Sequence, residues 1–492
     1  MNYSINISKS AFVRGLQCYK SLYLNKHHRE LEDKVSLSQQ AIFDKGTNIG
    51  ILAQKLFPEG IDLEKYIPSN FSMVFSETKR LLATNSPTIY EAGFKFENLM
   101  CFVDILTKTN GSWYAYEVKG STSVKDVYLW DTAFQYHVIT SSGIEIEDIS
   151  IVFINNQYVR NGDLDINQLF TIESVKDRIL PMLPKVRKHI KQMKLMLGSP
   201  MVPDINIGPQ CNDPYTCSFE GHCWKDIPEY SVFNISRLSS EKKFQLYEQG
   251  IIEVSDVPDD FPLSDNQQLQ VLTEKTGETT INNHEIKEFV NSLQYPLYYL
   301  DFETFQSGIP MFDQSRPFQQ MTFQYSLHIQ YEPNGDLTHK EFLAEAKDDP
   351  RIPLIEKLIN DIGTSGDIIV FNKGFETARI NEIANDFPRY RNQVDNMICR
   401  IKDLMLPFSQ KHYYKPEMKG SYSIKKVLPA LVPELSYKAL NIAQGGDASL
   451  AFDSLYNETD QLKINQVRND LLEYCGLDTF AMVEIIKVLY TT

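Results

Sequence analysis

The sequence predicts an α/β protein of more than one domain, and three observations carry that prediction. Short apolar runs of strand length alternate with segments of helical periodicity. An Asn110-Gly111 pair separates two such runs, as a hairpin does, because a type I′ turn needs positive φ at both central positions. At 492 residues the chain exceeds what one core organises, which points to two or three domains.

In chain order, hairpin strands are predicted at Phe102–Leu106 and Trp113–Lys119, followed by a helix over Val127–Thr140. The Lys-rich amphipathic stretch Val175–Leu197 reads as one long helix. Short helical patterns and Asp-rich turns between 228 and 290 predict a small helical connector. The alternation then resumes with a strand to Leu300, a strand over Gln319–Tyr331 and a helix over Arg351–Ile362. A buried strand follows at Asp367–Phe371, then a helix over Phe375–Asn385. Leu472, Cys475, Val483, Ile486 and Leu489 recur at helical spacing and predict a final helix over Asn469–Tyr490. The expected domains are 1–227, the connector 228–290, and 291–492.

An apolar content of 42% and a charged content of 23% describe a soluble globular chain. No run approaches the roughly 20 apolar residues that span a bilayer, and no signal-peptide core opens the chain. A cytoplasmic location with no membrane partner is the expectation. The net charge of −15 argues against a broad basic surface for duplex DNA. It is compatible with carboxylate-rich sites, which carry negative charge until cations bind. A Gly-x4-Gly-Lys-[Ser/Thr] phosphate loop is absent.

Asp301-Phe302-Glu303 closes the apolar run from Pro296 to Leu300. Residues two apart on a strand share a face, so these two carboxylates can meet one metal. Tyr474 and Asp478, four apart on the final helix, share a helix face. Glu376, just after the strand ending at Phe371, adds a fourth carboxylate. Mg²⁺ and Mn²⁺ take oxygen ligands, and phosphodiester cleavage uses two such ions roughly 4 Å apart. In the N-terminal half, Asp104 on one hairpin strand faces Glu117 and Lys119 on the other, and Glu91 offers a further oxygen. Two carboxylates hold a cation there, while a lysine steadies a charged phosphorane. The plainer alternatives are carboxylates that merely end a strand, and an ion pair on a hairpin face.

Seven cysteines in a reducing compartment are not expected to form structural disulfides. Cys211, Cys217 and Cys223 cluster, and Cys18 is the best fourth thiolate for a [4Fe–4S] cluster. Zn²⁺ competes, although its structural sites usually pair ligands about two to four residues apart. Unrelated buried thiols are the third alternative. His222 is expected at the surface, and Cys101, Cys399 and Cys475 in apolar cores.

Asp301-x-Glu303, Asn372-x3-Glu376 and Tyr474-x3-Asp478, in that order, resemble the three motifs of DEDD exonucleases of the RNase H-like, DnaQ-like superfamily, tyrosine subclass. Glu376 departs from the Asp usual in the second motif. Residues 295–490, with Arg316-Pro317-Phe318-Gln319-Gln320 and Gly420-Ser421-Tyr422-Ser423, resemble a domain-of-unknown-function family found fused behind RecB-like nucleases. Asp104 with Glu117-x-Lys119 resembles the PD-(D/E)XK motif of those nucleases, and Gln135 their glutamine motif. Ile139 replaces the expected aromatic, and Gly46–Gly50 lacks the expected His. The four cysteines resemble the iron–sulfur staple of CRISPR-associated and AddB-type exonucleases.

These resemblances imply a restriction-endonuclease-like PD-(D/E)XK domain and an RNase H-like DEDD domain joined by the connector. They imply a 3′→5′ exonuclease acting on single-stranded DNA or RNA ends, with repair or defence proteins as partners. Asp301, Glu303, Glu376 and Asp478 would hold Mg²⁺ or Mn²⁺, and Tyr474 would orient water. Asp104, Glu117 and Glu91 would hold a second site's metal with Lys119 assisting. Gln135, Asn372, Arg379, Lys425 and Lys426 would meet nucleic acid. The alternatives are a single active site with the N-terminal domain as substrate holder, and a non-catalytic nucleic-acid-binding adaptor.

Overall fold

A computed structural model describes residues 6–67, 70–84 and 86–492. The chain forms two compact units, Met1–Asp226 with Gly308–Phe318, and Ile227–Ser307 with Gln319–Thr492. Residues 228–290, expected as a connector, pack within the second unit.

The first unit holds β1 (Ile7–Ser8), β2 (Ile61–Asp62), β3 (Thr88–Phe96), β4 (Leu99–Thr109), β5 (Ser112–Lys119), β6 (Ile146–Ile154) and β7 (Phe170–Ser174). They form one sheet in the order β2-β3-β4-β5-β6-β7, with β1 pairing parallel to β4. The β4–β5 hairpin turns at Asn110 and Gly111, whose φ of 52° and 90° match the expected turn. Parallel pairing of β5 with β6 requires a crossover, and the Asp126–Ser141 helix supplies it. Its Phe134, Val138 and Ile139 are buried in the core, with Phe12 stacked on Phe134 at 4.8 Å.

The expected long helix over Val175–Leu197 is broken into Lys176–Ile179 and Leu183–Leu197 by a 3₁₀ turn. Pro181 and Pro184 cause the break, since proline lacks the N–H an unbroken helix needs. The Gly308–Phe318 segment is held by Arg160, which donates from Nη1 to the Pro310 and Met311 carbonyls at 3.1 and 2.8 Å. Ile309 and Phe318 pack against the cluster containing Ile49 and Ala53.

The second unit holds β8 (Thr280–Ile281), β9 (Leu297–Gln306), β10 (Gln320–Gln330), β11 (Leu337–Leu343), β12 (Asp367–Val370), β13 (Ile401–Asp403) and β14 (Tyr413–Tyr414). Five form a mixed sheet in the order β11-β10-β9-β12-β13, and β8 and β14 pair separately. Strand β9 runs antiparallel to β10 and parallel to β12. Alternation along β9 sends Tyr298, Leu300 and Phe302 into a core with Leu354, Ile380 and Ile383. Tyr299, Asp301 and Glu303 take the other face, against the final helix, Gln461–Tyr490.

Polar bonds fix that helix on β10. Gln324 Nε2 donates to the Leu471 carbonyl at 2.8 Å, and Thr479 Oγ1 lies 2.7 Å from Ser326 Oγ and 2.8 Å from His328 Nδ1. Among the described residues no helix is long and apolar enough to cross a membrane.

Candidate functional site

Strand β12 pairs with β9 only over Leu297–Tyr299. Beyond Leu300 that edge of β9 has no β12 neighbour, and a cleft opens where β12 ends, the position at which open α/β sheets bind ligands. Asp301 and Glu303 project there from β9, and Asp478 reaches them from the final helix. One oxygen from each lies within 4.8 Å of the others. Glu376 lies in the first turn of the Lys373–Asp386 helix. That helix is capped by Asn372, whose φ of 113° lets its Oδ1 accept from the Phe375 N–H at 3.3 Å. The cleft, about 460 Å³, is also lined by Asn372, Lys425, Gly445 and Tyr474.

Its electrostatics are unbalanced. Burial pushes the carboxyls of Asp301, Glu303 and Glu376 well above their usual range, and their neighbours' charges push further. Burial raises Asp478 too, to about 6, against hydrogen bonding from Tyr437 and the nearby Lys425. The Tyr437 hydroxyl donates to Asp478 Oδ1 at 2.6 Å. Lys425 Nζ donates to the Ala443 carbonyl at 2.7 Å and to the Tyr474 hydroxyl at 2.9 Å. Burial and then Asp478 raise the Tyr474 phenol, which keeps its proton. Glu376 Oε2 is buried with no hydrogen-bond partner among the described residues. An all-oxygen set with an orphaned buried carboxylate oxygen fits a hard divalent cation.

The N-terminal constellation assembles differently. Pairing of Ile105 with Tyr116 and of Tyr90 with Ile105 aligns Glu91, Asp104 and Glu117 in one row across β3, β4 and β5. Glu117 Oε1 accepts from both Lys9 and Lys119 at 2.6 Å, and Oε2 accepts from Gln135 at 2.7 Å. Lys119 also donates to Asp131 Oδ2 at 2.7 Å. Burial would raise Glu117, but Lys119 and Lys9 outweigh it and hold the carboxyl at about 2. Asp104 is pushed to about 6 by burial and Glu117, and Glu91 to about 8 by burial and Asp104. Among the described residues, donors drawn within 4.8 Å of one another occur at Asp301, Glu303 and Asp478 and at a more exposed group, His284, Glu285 and Glu288. The row of Glu91, Asp104 and Glu117 is in neither.

Lys9, Asp131 and Tyr437 join these sites without standing among the residues that the sequence pattern predicts. Asp131 had a signal, standing one helical turn before Gln135. Gln135, expected to meet nucleic acid, is instead fully buried with its amide on Glu117. Lys425 lines the C-terminal cleft, whereas Lys426 is exposed and does not. Arg379 is buried, pairs with Glu382 at 2.8 Å and stacks over the Phe375 ring at 5.0 Å, and its Nε and Nη1 have no hydrogen-bond partner among the described residues.

Cys18 separates the helices Lys9–Gln17 and Tyr19–His27, and it lines one pocket with Cys211, Cys217 and Cys223. Gln17 Nε2 donates to the carbonyls of Gln210 and Tyr215 at 2.8 and 2.6 Å, tying the helix to the cysteine loop. Burial pushes the Cys18 and Cys223 thiols up. Cys101 and Cys475 are buried as expected. Cys399 is not: it is exposed at the end of the Arg391–Cys399 helix, its thiol 3.1 Å from the Asn396 carbonyl.

Residues 298–423 match a family described as a domain of unknown function, DUF2779. The match includes Asp301, Glu303 and Glu376 and stops before Lys425, Tyr474 and Asp478. The chain is 29% identical over 210 residues to the uncharacterized protein UU173 of Ureaplasma parvum, covering 38% of this chain and 30% of that protein. It is 27% identical over 224 residues to the uncharacterized protein MG366 of Mycoplasma genitalium, covering 41% and 33%. The chain thus spans about a third of the length of these relatives.

Proposed function

We propose that this chain is a metal-dependent nuclease whose working centre is the carboxylate cleft of the second unit. The observation that carries the reading is the convergence of Asp301, Glu303 and Asp478 within 4.8 Å. Glu376, with its unpartnered oxygen, stands at the same cleft. Bound Mg²⁺ or Mn²⁺ would supply an activated water and neutralise charge on the phosphate. The four carboxylates hold the cations, and Tyr437 fixes the orientation of Asp478. Tyr474, kept protonated and held by Lys425, orients the water. A mixed sheet with two of the carboxylates on its central strand supports the RNase H-like, DEDD-type reading, and with it a 3′→5′ exonuclease. The net charge of −15 favours single-stranded DNA or RNA ends over duplex.

A second reading of the first unit, substrate holder rather than nuclease, is favoured by one observation. Glu117, the expected PD-(D/E)XK ligand, is already satisfied by Lys9, Lys119 and Gln135. Degradation of end-labelled single-stranded DNA and RNA in Mn²⁺ tests both readings. Asp301→Ala is expected to abolish cleavage and Asp104→Ala to leave it largely intact. Loss with both variants makes the chain a tandem nuclease; a wild type that cuts nothing, with or without chelator, makes it an adaptor.

The four thiols suit a [4Fe–4S] cluster better than Zn²⁺. Tetrahedral Zn–S bonds of about 2.3 Å bring sulfurs within roughly 4 Å of each other. These cysteines line a common pocket but are not among the groups of donors within 4.8 Å. Protein purified without oxygen is expected to contain iron and acid-labile sulfide, and zinc in their place would reverse the assignment.

A further inference from the structure

The Leu183–Leu197 helix carries Lys185, Arg187, Lys188, His189, Lys191 and Lys194 and no acidic residue, in a chain of net charge −15. Its apolar face, Val186, Ile190, Met193 and Leu197, is buried in the first unit's core. Its basic face is open. Lys194 pairs with Glu97 at 3.0 Å, while Lys185, Arg187, Lys188 and Lys191 are exposed and have no carboxylate partner among the described residues. Arg187, Lys191 and Lys194 form one wall of a groove of about 470 Å³, whose other wall includes His137 and Phe96.

This groove is distinct from the carboxylate row. The Asp126–Ser141 helix presents Gln135 to Glu117 and His137 to the groove. Positions two apart on a helix point about 200° from each other, so the two surfaces lie on opposite sides of that helix.

We infer that the groove binds the backbone of single-stranded nucleic acid, its cations meeting phosphates and its half-buried rings offering faces to bases. The inference takes from the nuclease reading only the choice of nucleic acid as the polyanion. A membrane surface fits less well, because an interfacial helix inserts its apolar face and here the core already occupies it.

The test is fluorescence anisotropy of fluorescein-labelled oligothymidylate and oligouridylate with the full chain in EDTA, from about 50 to 200 mM salt. Arg187→Gln with Lys191→Gln is expected to weaken binding and lower the slope of log K against log salt by about 1.4, at roughly 0.7 per phosphate contact on a single strand. The thermal midpoint should not change, since both side chains are exposed. Lys347→Gln with Lys463→Gln removes the same charge elsewhere and is expected to leave the slope unchanged. An unchanged slope in the first variant, or an equal loss in both, overturns the proposal. So does binding of phosphatidylserine vesicles or polyglutamate in place of the oligonucleotides. EDTA stops metal-dependent cleavage, so failure of the nuclease reading would show separately, as absence of cleavage in Mn²⁺.

Discussion

In the first unit Glu117 has two lysines on one oxygen at 2.6 Å and a glutamine on the other. In the second unit Asp301, Glu303 and Asp478 converge around one lysine, Lys425, which donates to Tyr474 and to a backbone carbonyl instead of to a carboxylate. Both sites bury acidic groups, but in the first Lys9 and Lys119 neutralise Glu117 from within, whereas in the second no cation pairs with Asp301, Glu303 or Asp478 among the described residues. Glu117 and Asp478 should therefore respond oppositely to neutralisation.

The largest expected effect is on stability. Glu117→Gln leaves Lys9 and Lys119 with Asp131 as their one remaining ion-pair partner among the described residues, and breaking a buried pair in this way costs about 3–5 kcal/mol. Asp478→Asn in EDTA at neutral pH should instead raise the thermal midpoint, because it removes a charge that burial penalises and keeps an acceptor for Tyr437. Two losses of similar size would erase the distinction between the sites.

A pH series sharpens it. Asp478 has a folded pKa of about 6 against an ordinary 3.8, so the folded state holds the proton more tightly. Its contribution to stability is full at low pH and lost as pH rises from about 4 through 6. The gap between Asp478→Asn and wild type in EDTA should open over that range. Saturating Mn²⁺ above it should stabilise wild type, by about 2.7 kcal/mol at a hundred times Kd, and the variant less. Glu117, held at about 2 against an ordinary 4.5, has the opposite sign: its contribution is present above 4.5 and lost as pH falls toward 2. A gap that stays constant with pH would mean the Asp478 charge carries no cost.

The smallest effect concerns Tyr437. Tyr437→Phe removes the hydroxyl that orients Asp478, and loss of such a supporting bond is expected to weaken Mn²⁺ affinity or activity about 10- to 100-fold. Unchanged Mn²⁺ dependence would leave Tyr437 as packing alone.

The parts of this arrangement that rest on short-range pattern were legible in the sequence. The Asn110-Gly111 hairpin, the Asp301/Glu303 pair on one strand face and the Tyr474/Asp478 spacing all follow from local periodicity. Partners brought together by tertiary folding were not. Lys9 lies 108 residues from Glu117, and Tyr437 sits in a three-residue turn with no repeating pattern. The amphipathic period over Val175–Leu197 continues across prolines that a helical backbone cannot follow, so the pattern predicts one helix where the chain forms two.

Residues 308–318 lie between β9 and β10, yet they complete the first unit. During synthesis that unit cannot close until the ribosome has passed β9, so the two bodies cannot fold strictly one after the other as successive domains ordinarily do. Division of the chain after Asp226 would leave Arg160 without its two carbonyl partners and Ile49 without the cover of Ile309 and Phe318. A separable first half requires those eleven residues to be grafted back, which makes the chain indivisible at its most obvious boundary.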